Sequence, residues 1–133
     1  MQTFLPVPDF YECAMMLDTK RLGKQRVECV QLINAIEGQS TGWRNHPAAI
    51  MWQNNLDALR HYYNVMSGEW VLRGYMHTMG FYVLDVSSIT MPAWLGDEAF
   101  HASHRSNLLR KAPEHYERFG WREPNDLPYI WPV

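Results

Sequence analysis

Three observations predict an all-α fold, a compact single-domain bundle of three main helices spanning residues 1–133. Apolar residues recur at helical spacing between residues 22 and 36, and cap and stop residues mark the segment ends. No repeat, low-complexity tract or linker divides the chain. Asp9 followed by Glu12 reads as a capping box opening a short helix toward Leu17. A second helix runs from about Thr19 to Glu37, with Asp18 as N-cap and Gly38 as its stop. Its apolar positions are Leu22, Cys29, Val30, Ile33 and Ile36, and Lys24 and Glu28 form an attractive pair one turn apart. Gly23 inside this helix costs about 1 kcal/mol relative to Ala. A glycine there implies that something approaches the backbone closely.

Pro47 suits the first turn of a third helix over about 47–66, carried through Ser67-Gly68 to Met79 as one long element. Residues 80–92 read as irregular or briefly extended. Asp97 caps a fourth helix to about Lys111, and Ala112-Pro113 ends it and begins a short turn to Gly120. The tail from Trp121 to Val133 carries three prolines and packs as an irregular strap.

Composition narrows the function classes. Hydrophobic content of 47% with 20% charged residues is that of a globular domain, large enough to fold without disulfides or metal. Cys13 and Cys29 match neither a metal spacing nor a disulfide framework and are expected to be buried or idle thiols in a reducing compartment. No apolar run reaches the roughly 18 residues that span a membrane, and no signal peptide opens the chain. A soluble, cytoplasmic, monomeric protein is expected.

The net charge is −2, yet Lys20, Arg21, Lys24 and Arg26 put four cations within seven positions of the second helix. That cluster is either a solvated, salt-bridged helix face or a place where an anion docks. Trp43-Arg44-Asn45-His46-Pro47 sets a guanidinium and an imidazole at a helix start, where they act as a cap or bind phosphate. His101, His104 and Arg105 share a polar face with Ser103 and Asn107, which reads as solvated or phosphate-contacting. The H-x-x-H pair would need a third ligand such as Glu98 to hold a metal, and no metal or cofactor is expected. Nucleophile-elbow, P-loop and dinucleotide fingerprints are absent. Basic clusters interleaved with aromatics, including Arg110 and Lys111, point to nucleic acid or a phosphorylated ligand, with the acidic residues on the far side.

Four stretches carry a family resemblance. They are Leu17-Asp18-x-Lys20-Arg21-Leu22-Gly23-Lys24-Gln25-Arg26-Val27-Glu28, Gly42-Trp43-Arg44-Asn45-His46-Pro47, Glu69-Trp70-x-x-Arg73-Gly74-Tyr75 and Phe100-His101-x-Ser103-His104-Arg105-Ser106-Asn107-Leu108-Leu109. The chain resembles the pyrimidine-dimer DNA glycosylases, whose founding member is the phage endonuclease V that is also an abasic-site lyase. The resemblance implies a small helical bundle of a bacterial or phage-infected cell, acting on damaged or modified duplex DNA. It also implies chemistry by the chain's own α-amine. Such an amine is a weaker base than lysine, so a useful fraction is neutral and nucleophilic at cellular pH. It attacks the sugar C1′, expels the base and forms a Schiff base; a glutamate assists the proton movements and β-elimination cuts the strand.

Residue by residue, the resemblance implies Met1 as nucleophile, because Gln2 is too large to permit methionine removal, and Glu28 as the carboxylate. Gly23 occupies the position of the founding enzyme's glutamate in an ungapped alignment. Lys20, Arg21, Lys24, Arg26, Arg44, His46, His101, His104 and Arg105 are the implied DNA contacts. A non-catalytic binder of distorted or modified nucleic acid, and an enzyme acting on small nucleotide ligands, are the alternatives that the same residues allow.

Overall fold

The computed structural model describes residues 1–40 and 42–133, and among them the regular structure is entirely helical. Helix α1 (Phe10–Met16) begins at Asp9, whose side chain accepts the Glu12 N–H at 2.9 Å. Helix α2 (Thr19–Ile36) follows after Asp18. Asp18 makes no side-chain cap; its carboxylate holds the Tyr116 hydroxyl and Arg21 instead. Gly38, at φ +81°, turns the chain away from α2.

The single long helix expected over 47–79 is two shorter ones, α3 (Pro47–Trp52) and α4 (Leu56–Leu72). Asn55 leaves helical geometry (φ −137°, ψ 51°) and donates from its side chain to the Thr90 carbonyl. Trp52, wholly buried at the end of α3, donates its indole N–H to Thr3 Oγ1 at 3.0 Å and so ties α3 to the N-terminal segment. The end of α4 at Leu72 has an equally local cause. The Arg73 guanidinium donates to the carbonyls of Ala14, Met15 and Leu17 while its Nε holds Glu69 at 2.8 Å. One side chain thus satisfies the carbonyls that the end of α1 leaves open.

Residues 73–97 are irregular apart from one 3-10 turn at Val86–Ser88. Helix α5 (Glu98–Lys111) is capped by Asp97, which accepts the Ala99 and Phe100 N–H groups. Helix α6 (Pro113–Tyr116), a 3-10 turn at Glu117–Phe119 and the irregular tail complete the chain. The core is chiefly α2 against α4, with Leu22, Cys29, Leu32 and Ile33 meeting the layer that holds Leu59, Tyr62 and Met66. Both cysteines are free and buried, and burial pushes the Cys13 thiol up to about 12, far from a reactive thiolate. The close approach implied at Gly23 comes from Trp70. A methyl group at Gly23 would lie 2.9 Å from that indole, and the Arg26 guanidinium sits 4.6 Å above the same ring.

Candidate active site

Residues 2–5 belong to no helix or sheet, yet they are buried. Buried backbone must find hydrogen-bond partners, and here side chains from three helices supply them, while a fourth helix holds the Thr3 side chain. From α2, Glu28 Oε2 accepts the Gln2 N–H at 3.2 Å and Gln25 Oε1 accepts the Phe4 N–H at 2.7 Å. Gln25 Nε2 donates back to the Gln2 carbonyl at 2.8 Å, and the Tyr62 hydroxyl of α4 donates to the Phe4 carbonyl. Trp52 of α3 holds Thr3. From α5, His104 Nδ1 accepts the Leu5 N–H at 2.9 Å, His101 Nδ1 donates to the Leu5 carbonyl at 2.7 Å, and Arg105 donates to the Pro6 carbonyl. A chain terminus ordinarily frays. This one is fixed at nearly every backbone group from Gln2 through Pro6, so Met1 is carried on an anchored segment.

The polar face of α5 is therefore inside the protein, which corrects its reading as a phosphate-contacting surface. His101, His104 and Arg105 are all buried. The acceptor role of His104 Nδ1 makes it neutral, and burial pushes its pKa down to about 3. His101 is lowered by burial too, and its Nε2 accepts the Gly96 N–H. Arg105 is ion-paired with Glu98 and Glu123, which outweigh the effect of burial and raise its pKa. His101 thus uses both ring nitrogens on the backbone and His104 its Nδ1, while His104 Nε2 is buried without a partner. No cluster of three potential metal ligands occurs among the described residues.

In front of the fixed terminus lies a cavity of about 280 Å³. Met1, Gln2 and Phe4 form one side; Lys20, Arg21, Lys24 and Glu28 come from α2; Lys111 and Tyr129 close it. Glu28 turns to the Gln2 backbone rather than pairing with Lys24. Larger hollows of about 570 and 500 Å³ lie between α2 and α3 and between α1 and α4, away from the terminus. The electrostatics of the smaller cavity mark it as the chemically distinctive one. Lys111 has its pKa lowered by burial and by Arg21, Arg110 and Lys24, against the opposing pull of Glu28. Burial pushes Tyr129 up to about 12, so its phenol stays protonated. His46 is lowered by burial and by the Met1 ammonium, again opposed by Glu28. Amine, carboxylate and imidazole are thus electrostatic neighbours.

Of the residues singled out from sequence, Met1, Glu28, Lys20, Arg21 and Lys24 meet at this cavity, and His46 stands beside it. Arg21 is paired with Asp18 at 3.1 Å. Arg26 packs on Trp70 and donates to His77 Nδ1, outside the cavity. Arg44 lines the hollow beside α3. His46 caps α3, its Nδ1 accepting the Ala48 N–H at 3.0 Å. Gln2, Gln25, Tyr62 and Tyr129 escape sequence reasoning. A signal for Gln25 exists, since it lies on the buried stripe Leu22–Gln25–Cys29–Leu32 where a polar residue needs a partner.

Residues 1–83 match the family described as pyrimidine dimer DNA glycosylase, a match that takes in the terminus, all of α2 and His46. No curated protein and no solved structure gives a significant match.

Proposed function

Because the chain belongs to the pyrimidine dimer DNA glycosylase family, we propose that it excises a damaged or modified pyrimidine from duplex DNA through the Met1 α-amine, and that it also acts as an abasic-site lyase. The neutral amine attacks the deoxyribose C1′; the new C–N bond forms as the glycosidic bond breaks, and the base leaves with the bonding pair and takes up a proton. Loss of the amine proton and opening of the sugar ring give a Schiff base at C1′. Glu28 handles the protons, first from the amine and then from C2′. Removal of the C2′ proton drives β-elimination, the 3′ phosphate leaves, and water releases the amine. Lys20, Lys24 and Lys111, with Arg21, hold the flanking phosphates.

The observation that carries this assignment is the Gln2 N–H donated to Glu28 Oε2 at 3.2 Å. It brings a carboxylate within one residue of the terminal amine in a cavity rimmed by cations. A general base must stand within hydrogen-bond reach of the proton it moves, directly or through one water, and a carboxylate bonded to the backbone N–H next to the terminal amine supports Glu28 in that role.

The test is borohydride reduction of the protein mixed with duplex containing a pyrimidine dimer, and separately with abasic duplex, followed by mass mapping. A covalent adduct at Met1, lost when the amine is acetylated, is the expected result. Trapping on abasic DNA alone would retain the lyase and redirect the base specificity. No adduct on either duplex would overturn the assignment in favour of a non-catalytic binder.

A further inference from the structure

The fixed terminus has a consequence for the DNA. With Gln2, Phe4 and Leu5 each held through the backbone, the Met1 amine has only its own residue's rotations with which to reach a sugar inside an intact base stack. The duplex must open toward the amine, and an enzyme that opens a stack needs something to occupy the gap. A continuous row of aromatic rings leads from the cavity to one such group. Phe4 and Tyr129, both on the cavity wall, have centroids 6.4 Å apart; Tyr129 meets Trp131 at 5.7 Å. Trp131 meets His46 at 5.6 Å and His46 meets Trp43 at 5.5 Å, both edge-on.

Trp43 ends the row, 39% exposed, on the loop that precedes α3. Other exposed aromatics belong elsewhere: Tyr11 borders the hollow between α1 and α4, Tyr75 lies on Trp70, and Phe81 packs with His77. The two sides of the site differ in character, with ammonium and guanidinium groups toward α2 and α5 and rings toward α3. Phosphates suit the first and base faces the second.

We propose that Trp43, backed by His46 and Trp131, is the stacking residue that fills the opened base stack beside the target nucleotide. The inference rests on the amine assignment for the chemistry it serves, but its own test does not depend on that chemistry. His46 lowered toward neutrality fits the role, since a neutral ring supports the indole without an added charge beside the bases.

The experiment uses dimer-containing duplex with 2-aminopurine next to the lesion, whose fluorescence rises when it is unstacked. The wild-type protein is expected to brighten the probe on binding, Trp43→Phe to keep most of that rise, and Trp43→Ala to lose it. In parallel, Trp43→Ala should lower borohydride trapping on the dimer duplex about 5- to 150-fold relative to trapping on abasic duplex, the range that loss of one base–aromatic stack implies. Brightening that is absent in the wild type, or unchanged in Trp43→Ala, would overturn the proposal. An equal fall of trapping on both duplexes would also overturn it, by making Trp43 a general binding residue. If no protein traps on either duplex while the fluorescence contrast holds, the amine assignment fails and the stacking role stands.

Discussion

Gln25→Met is the sharpest perturbation of the clamp on the N-terminal segment. Methionine nearly matches the volume of glutamine, so the cost is polar rather than steric. The change removes the acceptor of the Phe4 N–H and the donor to the Gln2 carbonyl, two buried backbone groups that then have no substitute. Each orphaned group costs about 1–3 kcal/mol, giving roughly 2–6 kcal/mol in all. Tyr62 also loses its 2.6 Å contact with Gln25 but keeps the Phe4 carbonyl. In a chain of 133 residues, 1 kcal/mol corresponds to about 3–4 °C, so the melting temperature should fall by roughly 7–20 °C. Amide exchange at Phe4 should accelerate by more than the global loss of stability explains, because the terminus is released before the rest unfolds. Thermal denaturation by circular dichroism and residue-resolved exchange read both effects. A melting temperature within about 2 °C of wild type, with Phe4 protection intact, would show that Gln25 does not hold the segment.

Glu28→Gln keeps an acceptor for the Gln2 N–H, so the fold should persist while strand cleavage after base loss falls about 10²- to 10⁴-fold in single-turnover assays. Unaltered cleavage would remove Glu28 from the proton steps. Acid should destabilise the protein: His104 titrates at about 3 when folded and near 6.5 when unfolded, so below pH 6.5 only the unfolded chain takes up its proton. Stability is full above pH 6.5 and declines toward pH 3 by up to about 4–5 kcal/mol, a loss that His104→Asn should flatten in urea titrations across that range. Gly23→Ala brings a methyl within 2.9 Å of Trp70, and overpacking of about 1–3 kcal/mol should outweigh the helix-propensity gain of about 1 kcal/mol. The penalty should vanish in a Trp70→Leu background; an equal penalty in both would refute the packing explanation. Affinity for dimer duplex should fall with salt at a log–log slope of about −2.7, about 40-fold between 50 and 200 mM, if Lys20, Lys24 and Lys111 each neutralise a phosphate. A slope shallower than about −1 would favour a small nucleotide ligand.

What the sequence made legible, and what it hid, follows from how far each residue's partner lies along the chain. The ends of α2 and α5 and the capping residues Asp9 and Asp97 were readable because their partners are neighbours. The break between α3 and α4 was not, since it depends on Trp52 reaching Thr3 and Asn55 reaching Thr90. The face of α5 was misread for a related reason. His101, Ser103, His104, Ser106 and Asn107 look solvated when the helix is considered alone, yet they satisfy the backbone of the N-terminal segment and the tail. A clue was present: between Glu98 and Arg110 the only charged residue is Arg105, whereas a helix face in water usually carries lysine or glutamate. At the site, Lys20, Lys24 and Glu28 were legible from helical spacing, but their meeting with Tyr129 and Lys111 depends on contacts spanning most of the chain.

A net charge of −2 need not conflict with binding a polyanion once the partners of the carboxylates are traced. Glu98 and Glu123 neutralise the buried Arg105, Glu37 and Asp57 hold Arg60, and Glu69 holds Arg73. Asp9, Asp85 and Asp97 cap helical turns, and Asp18 binds Tyr116 and Arg21. These acids act within the fold, each engaged by a cation, a hydroxyl or a helix start. Among the described residues Glu28 is the one carboxylate lining the cavity, together with Lys20, Lys24, Arg21 and Lys111. Field at close range depends on local arrangement, because charges more than about 8–10 Å away are largely screened in physiological salt. A phosphate entering this cavity would therefore meet the cations of α2 together with Lys111.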